Sequence, residues 1–183
     1  MLIEDAALRL FADQGYEATT VEQIAAEVEI SATTFFRYYP NKSDVILCHQ
    51  DAHMPDLREV ILAYPPGESD LAAVRHGIFE VWVPNADPEH SRRAGLAAAG
   101  SASLRGLYND MSRTWLEGIA AALAQRRGLT APDDQALITA RVSLGVFNEA
   151  VRSWGVGEYS ECLGTFVEQG FATLRQLAAE WAK

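Results

Sequence analysis

The sequence is poor in cysteine and in positive charge. It has 2 cysteines among 183 residues, and 15 Lys and Arg against 25 Asp and Glu, so the formal net charge is −10. Cys48 and Cys162 lie far apart in the chain, which favours reduced thiols over a disulfide framework. The acidic balance argues against general affinity for nucleic acid, because clustered Lys and Arg carry phosphate binding. Any contact with DNA must therefore be local.

Long apolar runs are also missing. No stretch approaches the roughly 18 apolar residues of a membrane-spanning helix, and the opening residues MLIEDAALRLF lack the basic and then apolar layout of a signal peptide. These absences predict no membrane partner and a cytoplasmic location. With 49% hydrophobic residues, the chain can nevertheless bury a substantial core.

Sequence motifs of enzymes are absent as well. The sequence contains no Gly-x-Ser-x-Gly, no His-Glu-x-x-His, no phosphate-binding loop and no dinucleotide-binding glycine pattern. An enzyme would need a nucleophile, a base or a metal held in such a pattern. We therefore expect a protein that is not an enzyme and that carries no cofactor.

Helical periodicity dominates the first forty residues. Apolar residues recur three and four apart over residues 2–14, which predicts a first helix. Thr20 followed by Gln23 is typical of a capping box and predicts a second, short helix. Ser31 can cap a third helix that Pro40 must end, because proline disfavours helical geometry in the residue before it.

The rest of the chain also has the pattern of helices. A fourth helix is expected to begin at Lys42, with a kink or a break at Pro55. The linker signal YPPGES precedes five further predicted helices, near residues 69–83, 89–98, 103–127, 132–154 and 159–182. No convincing strand alternation occurs. The predicted fold class is therefore all-α.

A short basic and aromatic segment interrupts the acidic amino end. ISATTFFRYYPNK, residues 30–42, holds two cations and four aromatic residues and no acid, whereas residues 1–52 carry three basic residues against nine acidic ones. Two short helices joined by a tight turn, the second opening with Ser and Thr and carrying Arg, are typical of a helix-turn-helix. The second helix of that motif enters the major groove of DNA.

Helical spacing divides the residues of this segment between two faces. Thr33, Phe36 and Arg37 share one face, and Phe35 and Tyr39 share the other. We expect Phe35 and Tyr39 in the core, where each buried side chain contributes about 1.5 to 3 kcal/mol. The first face points outward, where Arg37 can donate two hydrogen bonds to guanine and Phe36 can touch a thymine methyl.

The stretch AALRLFADQGYEATTVEQIAAEVEISATTFFRYYPNKSDVI, residues 6–46, strongly resembles the tetracycline-repressor (TetR) family of bacterial transcription regulators. It keeps the family's first helix and the turn in which an aromatic residue follows Gly. It also keeps the Thr cap and the Ile-Ala pair of the second helix, and an aromatic third helix that ends before a Lys. The resemblance implies an all-helical homodimer whose amino-terminal three helices read half of a palindromic operator. We accordingly predict a helix-turn-helix DNA-binding domain over residues 1–46 and a larger helical effector-binding and dimerisation domain over residues 47–183.

The resemblance also implies which residues contact double-stranded DNA. In the family the third helix supplies base and phosphate contacts, while the cap of the second helix and the Lys that opens the fourth touch phosphate. The predicted contacts are Thr20, Ser31, Thr33, Thr34, Phe36, Arg37, Tyr38 and Lys42. One departure is Glu29, which stands where the family usually has glycine and would be strained if the turn needs a positive φ.

Large apolar residues of the second domain are candidates for an effector site. They are Phe79, Trp82, Tyr108, Met111, Trp115, Phe147 and Trp154. Side chains of this kind line apolar ligand pockets, and they equally form packed core or dimer surface. The predicted function is a repressor that a small, apolar or aromatic effector releases from its operator.

The last two helices carry more apolar surface than the edge of a thin bundle needs. In the resembled family these two helices pair with their symmetry mates as a four-helix bundle. The predicted dimer interface is Leu137, Leu144, Val151, Phe166, Gly170, Phe171 and Leu174. The alternative is that these residues are the core of a monomer.

A second hypothesis for function is a metal- or redox-sensing regulator. His49 and His53 stand four apart on the fourth predicted helix, with Cys48 adjacent, and such histidine pairs can ligate zinc. No third ligand stands at a clear spacing, so no metal site is predicted.

Overall fold

The structure is a computed structural model that describes residues 2–46 and 53–181. All regular secondary structure in these ranges is helical, which confirms the all-α prediction. The helices are α1 (Leu2–Gln14), α2 (Val21–Glu27), α3 (Ala32–Tyr38), α4 (Met54–Ala63), α5 (Asp70–Gly77), α6 (Pro88–Gly100), α7 (Ala102–Arg126), α8 (Asp134–Val156) and α9 (Leu163–Trp181), with a π-helical turn over Ile78–Trp82 directly after α5. Across the described ranges, no helix is long and apolar enough to cross a membrane.

The chain packs as two compact units. The first unit consists of Met1–Ala52 and Asp87–Met111, and the second of His53–Ala86 and Ser112–Lys183. Packing thus joins α6 and the start of α7 to the amino-terminal helices. The predicted boundary between residues 46 and 47 instead assigns α6 and α7 to the second domain. The division of function at that boundary stays a prediction.

The core of the first unit forms around α1, α2 and α3. Phe11, Ile24 and Phe35 are fully or almost fully buried in one cluster, to which α6 and α7 add Ala97 and Leu104. A helix of seven residues such as α3 is unstable alone, so this burial is what holds it in place. The prediction that Phe35 belongs to the core is confirmed.

The predicted caps of the short helices are confirmed. Thr20 and Gln23 form both hydrogen bonds of a capping box at the start of α2. The Ser31 hydroxyl accepts the Thr34 backbone N–H at 3.0 Å, and α3 ends two residues before Pro40. These contacts satisfy backbone groups that a helix end leaves unpaired.

The predicted fourth helix begins later than Lys42. The Asp44 carboxylate accepts the Asn41 backbone N–H at 2.9 Å, and helical geometry starts only at residue 44. Farther on, Pro55 lies in the first turn of α4, where its missing N–H breaks no helical hydrogen bond.

A buried ion pair ties α5 to the end of α7 in the second unit. Arg126 donates to Asp70 at 3.0 Å, and both side chains are more than nine-tenths buried. The same guanidinium donates to the carbonyl oxygens of Pro65 and Glu68, at 2.6 and 3.0 Å. The YPPGES linker is therefore held by Arg126. Loss of Asp70 would leave this buried guanidinium without its ion-pair partner, whereas Asp70 is also paired with Arg127 at 3.2 Å.

Helices α8 and α9 pack closely along each other. A Cβ atom placed on Gly170 would lie 2.7 Å from Cγ1 of Val146, too close for a side chain. Glycine at this position therefore allows the two backbones to approach.

The turn between α2 and α3 is strained. Glu29 has φ 57°, in the left-handed region where a Cβ crowds the following carbonyl. The turn is nevertheless kept closed, because the Ile30 N–H donates to the Ala25 carbonyl oxygen at 2.9 Å.

Replacement of Glu29 by glycine should stabilise the protein. We expect Glu29→Gly to raise the free energy of unfolding by about 0.5–1 kcal/mol, because glycine adopts positive φ without strain. This value allows for the greater conformational freedom of glycine in the unfolded chain, which offsets part of the gain. Urea unfolding measures the change. Ala26→Gly, at an exposed position of α2 three residues before Glu29, should instead lower the free energy of unfolding by about 1 kcal/mol. Equal losses in both variants would contradict strain at Glu29.

Candidate functional site

The outward face of α3 is the first candidate site. Phe35 is completely buried, whereas its neighbour Phe36 is 50% exposed and Tyr38 is 59% exposed. Thr33 and Arg37 are also exposed. The structure thus brings four of the predicted DNA contacts together on one helix surface.

Arg37 contacts its neighbour Tyr38 in two ways. Its guanidinium donates to the Tyr38 hydroxyl at 3.2 Å and lies 5.0 Å from the centroid of the Tyr38 ring. Within the described part of the chain, no carboxylate forms an ion pair with Arg37. By contrast, Arg9 pairs with Glu27, so its charge is compensated inside the first unit.

The predicted hydroxyl contacts are partly engaged in caps. Thr20 and Ser31 are exposed, and each accepts a backbone N–H from its own helix. The Thr34 hydroxyl lies 2.9 Å from that of Ser31. They lie at the starts of α2 and α3, where a hydroxyl can cap the helix and contact a phosphate at once.

Lys42 contacts the loop between α1 and α2. Its ammonium group donates to the carbonyl oxygens of Tyr16 and Thr19, at 2.6 and 2.9 Å, and stands 4.2 Å from the centroid of the Tyr16 ring. Burial lowers the pKa of Lys42 below its usual value, and the negative charge of Glu17 opposes that shift. Its predicted contact with a DNA phosphate stays a prediction.

A second polar contact reaches the same loop. The Ser101 hydroxyl donates to the Glu17 carboxylate at 2.5 Å and accepts the Leu104 N–H that opens α7 at 3.1 Å. This hydrogen bond, followed by others, lowers the pKa of Glu17. Both residues join parts of the first unit that are distant in sequence, and no local pattern predicts their contact.

The aromatic candidates for the effector site divide into groups. Trp82 lies at the end of the π-helical turn, and its ring centroid is 5.0 Å from that of Trp115 and 4.5 Å from that of Phe147. All three side chains are at least nine-tenths buried in the second unit. We call Trp82, Trp115 and Phe147 the aromatic cluster. It combines apolar rings with a π-helical turn, a feature frequent at functional sites.

Ser143 adds a polar group that the sequence did not single out. It is fully buried one helical turn before Phe147, and its hydroxyl has no hydrogen-bond partner among the described residues. An unsatisfied buried hydroxyl costs about 1–3 kcal/mol, which a ligand atom could recover. A serine spaced four residues from an aromatic on one helix face is the signal that could have found it.

The remaining candidates for the effector site make other contacts. The Phe79 ring lies under the Arg75 guanidinium, 4.8 Å away. Trp154 donates through Nε1 to the Glu161 carbonyl oxygen at 2.7 Å, which closes the loop after α8. Tyr108 and Met111 belong to the first unit, where burial raises the pKa of Tyr108.

The predicted dimer residues are also divided. Leu144 and Phe171 are buried inside the second unit. Leu137 and Val151 are half-buried. Phe166, Gly170 and Leu174 line a groove of about 560 Å³ between α8 and α9, which we call the α8–α9 groove; its other lining residues are Val142, Gly145, Val146, Glu149, Ala150, Ser153, Gln169, Thr173 and Leu177.

Exposed apolar side chains outside the predicted set also occur on α8 and α9. Ile138, Leu177 and Trp181 are 60%, 58% and 93% exposed. Gly170, Leu174, Leu177 and Trp181 follow each other at helical spacing along α9, a signal already present in the sequence.

The residues of the metal-sensing hypothesis lie mostly outside the described ranges. Cys48 and His49 belong to residues 47–52, and only His53 is described. The described residues contain no group of three His, Cys, Asp or Glu side chains that could hold a metal ion.

Two family models match the chain. The model described as "Bacterial regulatory proteins, tetR family" matches residues 3–47, and the one described as "MftR C-terminal domain" matches residues 68–179. Together they cover both the helix-turn-helix and most of the remaining helices.

Individual proteins agree with this assignment. The HTH-type transcriptional regulator TcmR of Streptomyces glaucescens is 44% identical over 68 residues, 37% of this chain and 30% of that protein. The provisionally named mycofactocin biosynthesis transcriptional regulator MftR of Mycobacterium tuberculosis is 26% identical over 154 residues, 83% of this chain and 77% of that protein. The match with TcmR thus spans less than a third of that protein's length.

A solved structure shows the same fold. The transcriptional regulator FadR from Bacillus subtilis, in complex with stearoyl-CoA, superposes with a TM-score of 0.60 at 19% identity, covering 95% of this chain and 96% of that one. Helix-turn-helix, helical remainder and family models agree: the chain belongs to the TetR family of DNA-binding transcriptional regulators, which are not enzymes.

Proposed function

We propose that the protein is an effector-responsive repressor that binds a palindromic operator as a homodimer in the bacterial cytoplasm. The observation that carries the proposal is the outward face of α3, where Phe36 and Tyr38 remain exposed beside Arg37 while Phe35 anchors the helix. Neighbouring exposed aromatic side chains on one helix are typical of a surface that contacts a partner. DNA is the partner that suits the helix-turn-helix.

The side chains of this face suit the edges of base pairs. Arg37 can donate two hydrogen bonds to the O6 and N7 atoms of guanine, and the Phe36 ring and the Thr33 methyl can pack on thymine methyl groups. Tyr38 contacts the guanidinium through its hydroxyl and its ring. Such contacts read sequence, so we propose that specificity comes from this face.

The homodimer is supported by the α8–α9 groove and its apolar extension. A groove of about 560 Å³ continues into Leu177 and Trp181, which are 58% and 93% exposed. Exposed apolar patches of this kind mark protein interfaces. A second copy of the chain would cover them and would supply the second half-site reader that a palindrome needs.

The aromatic cluster is the proposed effector site. The ring centroids of Trp115 and Phe147 lie 5.0 and 4.5 Å from that of Trp82, and Ser143 offers one unsatisfied hydroxyl nearby in sequence. This composition suits an apolar or aromatic molecule with a single polar group. The Bacillus subtilis FadR of similar fold was solved with stearoyl-CoA, an apolar chain with a polar end.

Effector binding would release DNA by shifting a conformational equilibrium. A ligand changes operator affinity only if it binds one conformation better than the other. A molecule that separates the rings of the aromatic cluster would favour a conformation with a lower affinity for the operator.

Selection of bound duplexes from a random pool tests the operator. We expect a two-fold symmetric motif, and Arg37→Ala should weaken binding to it by about 1–3 kcal/mol while relaxing one base position. Arg113→Ala is the matched control, because Arg113 is an exposed arginine paired with Glu117 in the second unit. An enriched site that Arg37→Ala leaves unaffected would exclude α3 as the reader.

Sedimentation velocity tests the homodimer. The wild-type protein should sediment as about twice its chain mass of 20.0 kDa, and Leu177→Glu should shift it toward the monomer by placing a charge in an apolar interface. Leu129→Glu serves as control, since Leu129 is 41% exposed in the loop before α8. A monomeric wild type, or equal effects of both variants, would contradict the groove as interface.

Tryptophan fluorescence tests the effector site. Stearoyl-CoA and a panel of apolar aromatic compounds are titrated, and a ligand that enters the cluster should change Trp emission. Phe147→Leu should lower the affinity for that ligand about tenfold or more, because loss of the ring contact is expected to cost about 1.4 kcal/mol of binding free energy. Phe166→Leu, in the α8–α9 groove, should not. The reverse order of effects would place the ligand in the groove.

A further inference from the structure

The π-helical turn after α5 has a local cause in the sequence. The Val83 N–H donates to the Ile78 carbonyl oxygen, five residues back, at 2.9 Å. Pro84 comes next and has no N–H, and in a continued α-helix its ring would collide with the carbonyl group four residues before it. The wider π-helical turn brings the helix up to the proline without that collision. Pro84 therefore favours the π-helical register at this point over the α-helical one.

Asn85 supports the same register. Its side-chain Nδ2 donates to the Val81 carbonyl oxygen at 2.7 Å. In a continued α-helix the backbone N–H of residue 85 would donate to that oxygen. The side chain thus takes the place of a backbone donor at the end of the helix. Replacing either Pro84 or Asn85 should shift the balance toward the α-helical register.

Packing holds the start of the π-helical turn. Ile78 is completely buried, and the turn packs against α4. A Cβ atom placed on Gly77, directly before the turn, would lie 2.6 Å from Cδ1 of Leu57 in α4, so the two backbones are close together. A change of register would therefore move the end of the turn more than its start.

The residue at the end of the turn is Trp82, which belongs to the aromatic cluster. Its ring contacts those of Trp115 and Phe147, so a molecule that enters the cluster must displace a ring. Trp115 lies within the α-helix α7 and Phe147 within α8, whereas Trp82 lies in the π-helical turn. Trp82 is thus the member of the cluster whose backbone has a second helical register close at hand.

We propose that the π-helical turn is the switch that opens the effector site. In the free protein the π-helical register holds the Trp82 ring in the cluster. In the effector-bound protein the Val83 N–H donates four residues back, the helix ends before Pro84 and the Trp82 ring leaves the cluster. The proposal rests on the proposed effector site. It supplies the two conformations between which a ligand must discriminate in order to shift an equilibrium.

Circular dichroism tests the register without ligand or DNA. Two indole rings whose centroids are 5.0 Å apart couple their excitations and give a paired positive and negative band. Trp115→Phe identifies this band pair, because it removes one of the two indoles. We expect Pro84→Ala to lose most of the band pair, since the N–H that it gains can donate in the α-helical register. Asn85→Ala, a milder change that keeps the proline, should lose less.

Titration with stearoyl-CoA and with naphthol tests the coupling to ligand binding. Pro84→Ala should bind whichever probe the wild type binds at least about fivefold more tightly, because binding no longer has to shift the register. Asn85→Ala should change the affinity in the same direction by less. Pro132→Ala is the matched control, because Pro132 is an exposed proline outside the helices of the same unit. It should leave the band pair and the affinity unchanged.

Two results would overturn the proposal. One is a band pair that Pro84→Ala and Asn85→Ala both leave unchanged, and the other is a probe affinity that Pro84→Ala leaves unchanged or lowers. Equal effects of Pro132→Ala would also contradict it, because they would come from loss of a proline in general. A probe that binds but is insensitive to Phe147→Leu would instead contradict the proposed effector site, whereas the band pair would still decide the register.

Discussion

Burial of the Phe35 ring is the constraint on which the reading surface depends. The seven residues of α3 are too few to stay helical alone, and Phe35 is the one of them that is completely buried. With that ring fixed among α1 and α2, helical geometry turns Phe36 and Arg37 outward. Burial of Phe35 therefore fixes which side chains of α3 face outward.

The small number of positive charges in the amino-terminal region is consistent with this arrangement. The chain carries a formal net charge of −10, and of the three cations among its first 52 residues Arg9 pairs with Glu27 and Lys42 binds backbone carbonyls. Arg37 is left to face outward. A protein of this kind binds weakly to DNA in general, because non-specific affinity comes from phosphate neutralisation. Under the proposed function, recognition would instead come from fit between the α3 face and base edges.

Local chemistry in the sequence predicted the local structure well. The caps at Thr20 and Ser31 and the inward and outward faces of α3 depend on residues within four positions of each other, and all were correct. What the sequence did not predict depends on distant partners. Ser101 meets Glu17 across 84 residues, and the direction of Lys42 depends on a loop 23 residues away. Packing of α6 into the first unit is of the same long-range kind.

Hydrogen–deuterium exchange of the protein with and without its selected duplex tests the central claim most directly. If the outward face of α3 reads DNA, amide protection on binding should concentrate in residues 31–39, with a smaller gain at the start of α2. Amides exchange more slowly where contact suppresses local opening. Protection that spares α3 and falls on α8 and α9 instead would contradict the account.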